Sequence, residues 1–293
     1  MSDGKDSPSN WTISEVLKWT ADDFAAKGID TPRLDAEMLL AAALGCPRVK
    51  LYMDYDQVPP EDALSKFREY VKRRRDRESV AHILGSKGFH DIEVAVGPGR
   101  FVPRPETEIL VDEAVLHLRK AGIKAPRLLD LCTGTGAIAL AVLKAVPGLS
   151  AWAVDIDPEA KKLVIHNAEK NGLSDRVEFR EGDLFGPVKD LAPFHVITCN
   201  PPYVPSGELP SLMPEVREHE SHLALDGGEE GTDIIKKVLE GAPSHLESGG
   251  RLLFEVGEGQ APLLPGLAPA GMVHEYTRED LAGIERIVIF TKE

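Results

Sequence analysis

The feature that most constrains this chain is the passage from Arg127 to Asp155. A short apolar run, Arg127–Leu131, breaks into the turn Cys132-Thr133-Gly134-Thr135-Gly136, and an apolar stretch, Ala137–Val146, follows at once. Glycine lets a chain turn tightly and lets backbone approach a ligand, and a helix that starts there offers unpaired N–H groups. A second β-type run, Ser150–Asp155, then ends on an acid 19 residues beyond Gly136. Strand, glycine turn, helix and strand-ending acid form the pattern of a parallel α/β sheet that holds a nucleoside at the carboxyl ends of its strands. An acid in that place can accept hydrogen bonds from ribose hydroxyls.

The same alternation runs to the end of the chain. Asp157-Pro158 supplies a helix N-cap and a first-turn proline for a helix through Lys170. Further strands are predicted over Val177–Arg180, His195–Cys199, Arg251–Val256, Val273–Tyr276 and Arg286–Phe290, with a helix near Thr232–Leu246. Such alternation predicts a mostly parallel sheet with helices on both faces. Ahead of it, residues 1–85 read as helices. Thr12 and Glu15 have capping-box spacing before a stripe of Ile13, Leu17, Thr20 and Phe24; a second helix is predicted over Leu34–Leu44, and a third near Pro60 carries Leu64, Phe67 and Val71 on one side. Between the two parts, residues 86–105 are expected to form a connecting hairpin around Gly97-Pro98-Gly99. The expected organisation is thus a helical domain (1–85), the hairpin (86–105) and a nucleoside-binding domain (106–293).

Charge and composition limit the partners. Residues 1–90 hold 14 Lys+Arg against 15 Asp+Glu, which leaves 20 against 33 for the remainder of a chain with net charge −14. An acidic body argues against a broad grip on DNA or RNA phosphates. The run Lys72, Arg73, Arg74, Arg75, Arg77 is a candidate basic patch, although a solvated helix face is the simpler expectation. The longest apolar runs, such as Ala137–Leu143, fall well short of the roughly 20 residues a membrane span needs. Met1–Asn10 is polar and carries acids, unlike a signal or transit peptide. Three cysteines, Cys46, Cys132 and Cys199, form no metal-binding pair. His219, Glu220 and His222 lack metalloprotease spacing and are expected on a loop or surface. A cytoplasmic enzyme without metal is the expectation.

The chemistry is carried by Asn200-Pro201-Pro202-Tyr203, which follows the predicted strand His195–Cys199 directly. An amide nitrogen is a poor nucleophile because its lone pair is delocalised into the carbonyl. Acceptors that hold its two N–H bonds favour the pyramidal, reactive form. The Asn200 side-chain oxygen supplies one, and the Pro201 carbonyl can supply another. Prolines lack N–H and fix φ, so the loop is rigid and acceptor-rich. Tyr203 can stack on a planar amide or base. This loop favours S-adenosylmethionine over NAD as the nucleoside cofactor, since no dehydrogenase set accompanies the glycines. Cys132, Thr133, Gly134, Thr135, Gly136 and Asp155 are the expected cofactor contacts, joined by Asn200; Asp183 and Leu184 after the next strand are placed near the adenine. Cys199 is expected to be a core residue at a strand end.

At these residues the chain resembles the protein-(glutamine-N5) methyltransferases, and within them the release factor glutamine methyltransferases. The likeness also takes in Asp35–Leu40, Ala81–Gly85, Phe101–Glu108, Ala224–Gly228, Phe254–Gly257 and Asp280–Gly283. It implies a Rossmann-like, seven-stranded class I methyltransferase fold with its last strand antiparallel, and a small helical N-terminal domain that helps dock the substrate. It implies that S-adenosylmethionine is the methyl donor and that the substrate is the glutamine of the Gly-Gly-Gln loop of peptide chain release factors. Asn200, Pro201, Pro202 and Tyr203 match the family's substrate-amide site. Cys132 stands where glycine is common, and Leu184 where an aromatic is common. An adenine-N6 methyltransferase acting on DNA or RNA is the main alternative, because that chemistry uses the same tetrapeptide. A binding module that retains the pocket without catalysis is a third reading, opposed by the presence of both Asp155 and the complete tetrapeptide.

Overall fold

The computed structural model describes residues 11–293; the opening segment Met1–Asn10 lies outside the described residues. The chain divides into two compact units, 1–85 and 86–293.

The first unit is helical: α1 Ile13–Ala26, α2 Pro32–Leu44, α3 Arg48–Met53, α4 Glu61–Arg75 and α5 Val80–Leu84. The capping box at α1 forms as its spacing predicts. Glu15 N donates to Thr12 Oγ1 at 3.4 Å and Thr12 N to Glu15 Oε2 at 2.8 Å. Leu17, Phe24, Leu39, Leu40 and Phe67 close the core between the helices. The basic run at the end of α4 is only in part a solvated face: Lys72 and Arg75 are exposed, whereas Arg74 is buried. Arg74, buried, donates to Asp35 Oδ2 at 2.7 Å, Arg73 pairs with Glu78, Arg75 with Asp23, and Arg77 donates to the Lys27 and Gly28 carbonyls. These arginines tie the helices of this unit to one another, so four of the five basic side chains have structural work there. The short helices α3 and α5 were not expected. α3 spans six residues, too short for a periodic stripe to show.

The second unit opens with an antiparallel hairpin, β1 Ser86–Phe89 and β2 Ile92–Ala95. Its turn falls at His90-Asp91, not at Gly97–Gly99, which lie in irregular chain beyond β2. His90 takes the positive φ of 50° that such a tight turn requires. Then follow α6 Thr107–Ala121, β3 Arg127–Leu131, α7 Ala137–Ala145, β4 Ser150–Asp155, α8 Pro158–Asn171, β5 Val177–Glu181, β6 Phe194–Cys199, α9 Pro214–Arg217, α10 Asp233–His245, β7 Leu246–Glu255, β8 Met272–Glu279 and β9 Glu285–Lys292.

The seven-stranded sheet has the order β5-β4-β3-β6-β7-β9-β8. β3 to β7 are parallel, and β9, the last in sequence, slots between β7 and β8 antiparallel to both. Alternation in the strands serves the two faces: Leu128, Val196 and Leu253 pack under α6 and α7, while Leu129, Ile197 and Leu252 pack against α10. From β3 the chain moves outward through β4 to β5, then crosses back to place β6 on the other side of β3. That reversal leaves a crevice at the carboxyl ends of β3, β4 and β6. β7 starts at Leu246, earlier than its apolar run suggests, because Glu247–Gly250 carry no strand-like side-chain pattern and the register with β6 shifts there. No helix among the described residues is long and apolar enough to cross a membrane.

Candidate active site

Four strand-end loops of the second unit converge on one cleft of about 390 Å³. After β3 come Cys132–Thr135, after β4 Asp155–Asp157, after β5 Gly182–Leu184, and after β6 Asn200–Val204. A volume of this size suits a small-molecule site.

The turn after β3 is held from below. Asp130, fully buried, accepts from Thr133 Oγ1 at 2.5 Å and from Thr198 Oγ1 at 2.7 Å. Burial pushes its carboxyl up to about 6, and the two hydroxyls hold it back from rising further. Cys132 adopts a φ of 55°, which explains why glycine is the usual occupant of such a position. Gly136, the N-cap of α7, has φ 78°, and a Cβ there would sit 3.1 Å from Val164 Cγ2. Gly136 therefore shapes the turn from behind and is not part of the cleft wall.

Asp155 ends β4 as expected, and its carboxylate is fixed by backbone: Gly134 N donates to Oδ2 at 2.8 Å and Asp157 N to Oδ1 at 2.9 Å. A carboxylate has about four lone-pair sites, so each oxygen keeps capacity for a ligand hydroxyl. Burial raises its pKa, opposed chiefly by the Gly134 N–H. Arg100 pairs with the neighbouring Asp157. Ile156, 53% exposed, and Leu184, at φ 45°, present apolar surface to the cleft beside Asp183. An anchored acid, a glycine turn and flanking apolar side chains fit the ribose and adenine of a nucleoside cofactor.

Asn200 follows β6 directly, with its Nδ2 3.4 Å from Thr107 Oγ1. Tyr203 is largely buried, and burial pushes its phenol well up. Its carbonyl accepts from Gln260 Nε2 at 2.9 Å, and Gln260 Nε2 also reaches the Gly231 carbonyl. Gly231, at φ 71°, packs so close that a Cβ would collide with the Tyr203 carbonyl. The tetrapeptide is thus clamped from the far side. The opposite wall comes from residues 100–107. Arg104 donates to Glu220 Oε1 at 2.6 Å and lies 4.9 Å from the centroid of Phe101. Glu220 is 6% exposed, so it stands buried behind Arg104 and not on an exposed surface.

Two domain models match the chain: the PrmC N-terminal domain over residues 15–85 and the methyltransferase small domain over 107–218. The release factor glutamine methyltransferase of Rhodopirellula baltica is 40% identical over 96% of this chain and 97% of its own length. That of Geobacter sulfurreducens is 41% identical over the same shares. The chain belongs to the release factor glutamine methyltransferase family. A methyltransferase from Pyrococcus furiosus has the same fold, with a TM-score of 0.51 at 18% identity over 70% of this chain and 91% of that one.

Every cofactor or substrate residue expected from the sequence lies in the cleft except Gly136, which supports it. Sequence reasoning quoted the segment Phe101–Glu108 only as a likeness and gave it no place in the site. It also gave no role to Glu255, the last residue of β7, which is 2% exposed. An acid inside an apolar strand run, Leu252-Leu253-Phe254-Glu255-Val256, was the available signal.

Proposed function

We propose that this enzyme transfers a methyl group from S-adenosylmethionine to the side-chain amide nitrogen (N5) of the glutamine in the Gly-Gly-Gln loop of peptide chain release factors. One observation carries the reading: the rigid Asn200–Tyr203 loop opens into the same cleft as the Asp155-anchored glycine turn. A nucleoside-borne methyl donor and a planar amide acceptor are the two reactants such a cleft is suited to bring together. The names of the curated relatives point to the same substrate.

In this reading the cofactor is held by Cys132–Thr135, Asp155, Asp183 and Leu184. It supplies an electrophilic methyl group on a sulfonium. Asn200 Oδ1 and the Pro201 carbonyl accept the two N–H bonds of the glutamine amide and turn its lone pair toward the methyl. Tyr203 covers the planar amide. No side chain need remove a proton first, because the nitrogen becomes strongly acidic once methylated and sheds its proton to water. Positioning and fixed dipoles supply the acceleration. The helical unit, residues 1–85, is assigned the docking of the release factor, and the site of action is the cytoplasm, where translation factors work.

The test is transfer of labelled methyl from S-adenosylmethionine to purified release factor, beside a variant with the loop glutamine replaced by alanine and beside duplex DNA. Label on the parent factor alone is expected. Label on DNA alone would replace this reading with an adenine-N6 methyltransferase.

A further inference from the structure

A side-chain amide can lie in its slot two ways round, and only its hydrogen-bond partners decide which. Asn200 must face the substrate with oxygen, because a flipped amide would offer N–H groups to the N–H groups of the glutamine. Against Asn200 sit Thr107, at the cleft wall, and Glu255, which does not line the cleft, each 2% exposed. Their placement follows from the sheet. Cys199 of β6 is paired with Phe254 of β7, so the next residues, Asn200 just past β6 and Glu255 at the end of β7, stand side by side at the sheet's end. Thr107 comes in from the first turn of α6.

We propose that Glu255, acting with the Thr107 hydroxyl, is the positioning residue that holds the Asn200 amide with Nδ2 inward and Oδ1 toward the substrate. The polarity runs one way: Asn200 Nδ2 donates to Thr107 Oγ1, and the Thr107 hydroxyl and Asn200 amide both favour the ionised form of the neighbouring Glu255 carboxyl. Glu255 is the terminal acceptor, and an ionised carboxylate can only accept. Its Oε2 is buried with no hydrogen-bond partner, a costly arrangement in a core unless something depends on it. Glu255 touches neither reactant and does not line the cleft. Its charge also has the sign that favours a nitrogen becoming cationic.

Protonation would reverse the chain. Burial raises the Glu255 carboxyl to about 7, with the Thr107 hydroxyl opposing, Glu106 at the start of α6 adding to the rise, and Arg286 of β9 and the Asn200 amide drawing it back. Tyr203 faces it from the loop after β6 and stays neutral in this range. Below about 7 Glu255 becomes a donor, the Thr107 hydroxyl is free to donate to Asn200 Oδ1, and the amide turns its N–H groups outward. Methyl transfer should therefore fail on the acid side through a group near 7.

This role rests on the glutamine-methylating reading, and the experiment separates the two. Methyl transfer to purified release factor is followed from pH 5.5 to 9 for the parent, Glu255→Gln, Thr107→Val and Thr107→Ser, with S-adenosylmethionine affinity measured by calorimetry. Glu255→Gln is expected to lower kcat by roughly 10- to 100-fold at alkaline pH, to leave KM and cofactor affinity within about twofold, and to abolish the limb near 7. Thr107→Val should act alike, and Thr107→Ser should restore kcat. A Glu255→Gln enzyme with the parent's kcat and acid limb overturns the role, as does a loss of cofactor affinity that matches the loss of rate. Absence of transfer by the parent overturns the substrate reading and this role with it.

Discussion

Asn200 and Asp155 line the same cleft but are proposed to act on different partners, and substitution should separate them. In the proposed reaction Asn200 Oδ1 accepts from the reacting amide, so Asn200→Ala should reduce kcat by about 100-fold or more, as loss of one preorganised polar group does elsewhere. Cofactor affinity by calorimetry should barely change; an equal loss of affinity would make Asn200 a pocket residue. Asp155 is assigned to the cofactor side in the same proposal. Its oxygens already hold Gly134 N and Asp157 N, so Asp155→Asn keeps one acceptor but forces a donor against a backbone N–H. Cofactor binding should weaken by about 1–3 kcal/mol with less effect on kcat. Unchanged affinity would remove Asp155 from the site. At this scale the sequence was informative where chemistry needs a particular atom at a strand end, as at Asn200 and Asp155. It was silent on Glu255, because one acid in an apolar strand reveals burial but not what stands beside it. Thr107 and Glu255 are 148 residues apart by number, and only the pairing of β6 with β7 together with the packing of α6 on those strands brings them together around Asn200.

Elements were legible in proportion to the length of their pattern. β3, β4, α7 and α8 combine apolar runs with caps and glycine turns, and they fall where their residues predict. The hairpin was misplaced because Gly97-Pro98-Gly99 looks like a turn, whereas His90 takes the positive φ without glycine. The basic run at the end of α4 was legible only in its exposed members, Lys72 and Arg75, since charge in sequence does not say which arginine is buried on a carboxylate. Arg74 and Asp35 are 6% and 8% exposed as side chains, and they join α4 to α2. Arg74→Ala would leave the Asp35 carboxylate buried and uncompensated. It should destabilise the helical unit by about 3–5 kcal/mol, measured by denaturant unfolding. An effect below about 1 kcal/mol would mean that the pair is open to water in solution.

The whole molecule joins an all-helical unit to a seven-stranded sheet whose topology reversal creates one cleft at the strand ends. The fold class was readable because glycine turn, strand-end acid and alternating elements all require the same parallel sheet. The order of the outer strands was not, since nothing local in β8 or β9 says that the last strand inserts between its predecessors. The family's relatives match this chain along nearly its full length, head included, so the two units are inherited together. The central claim is that the two halves of the cleft serve methylation of one glutamine nitrogen. It is tested most directly by mass spectrometry of release factor after incubation with the enzyme and S-adenosylmethionine. The account predicts a single added methyl on the side chain of the Gly-Gly-Gln glutamine, absent with the Asn200→Ala enzyme. A methyl on any other residue, or an unmodified glutamine under conditions where the methyl donor is consumed, would contradict it.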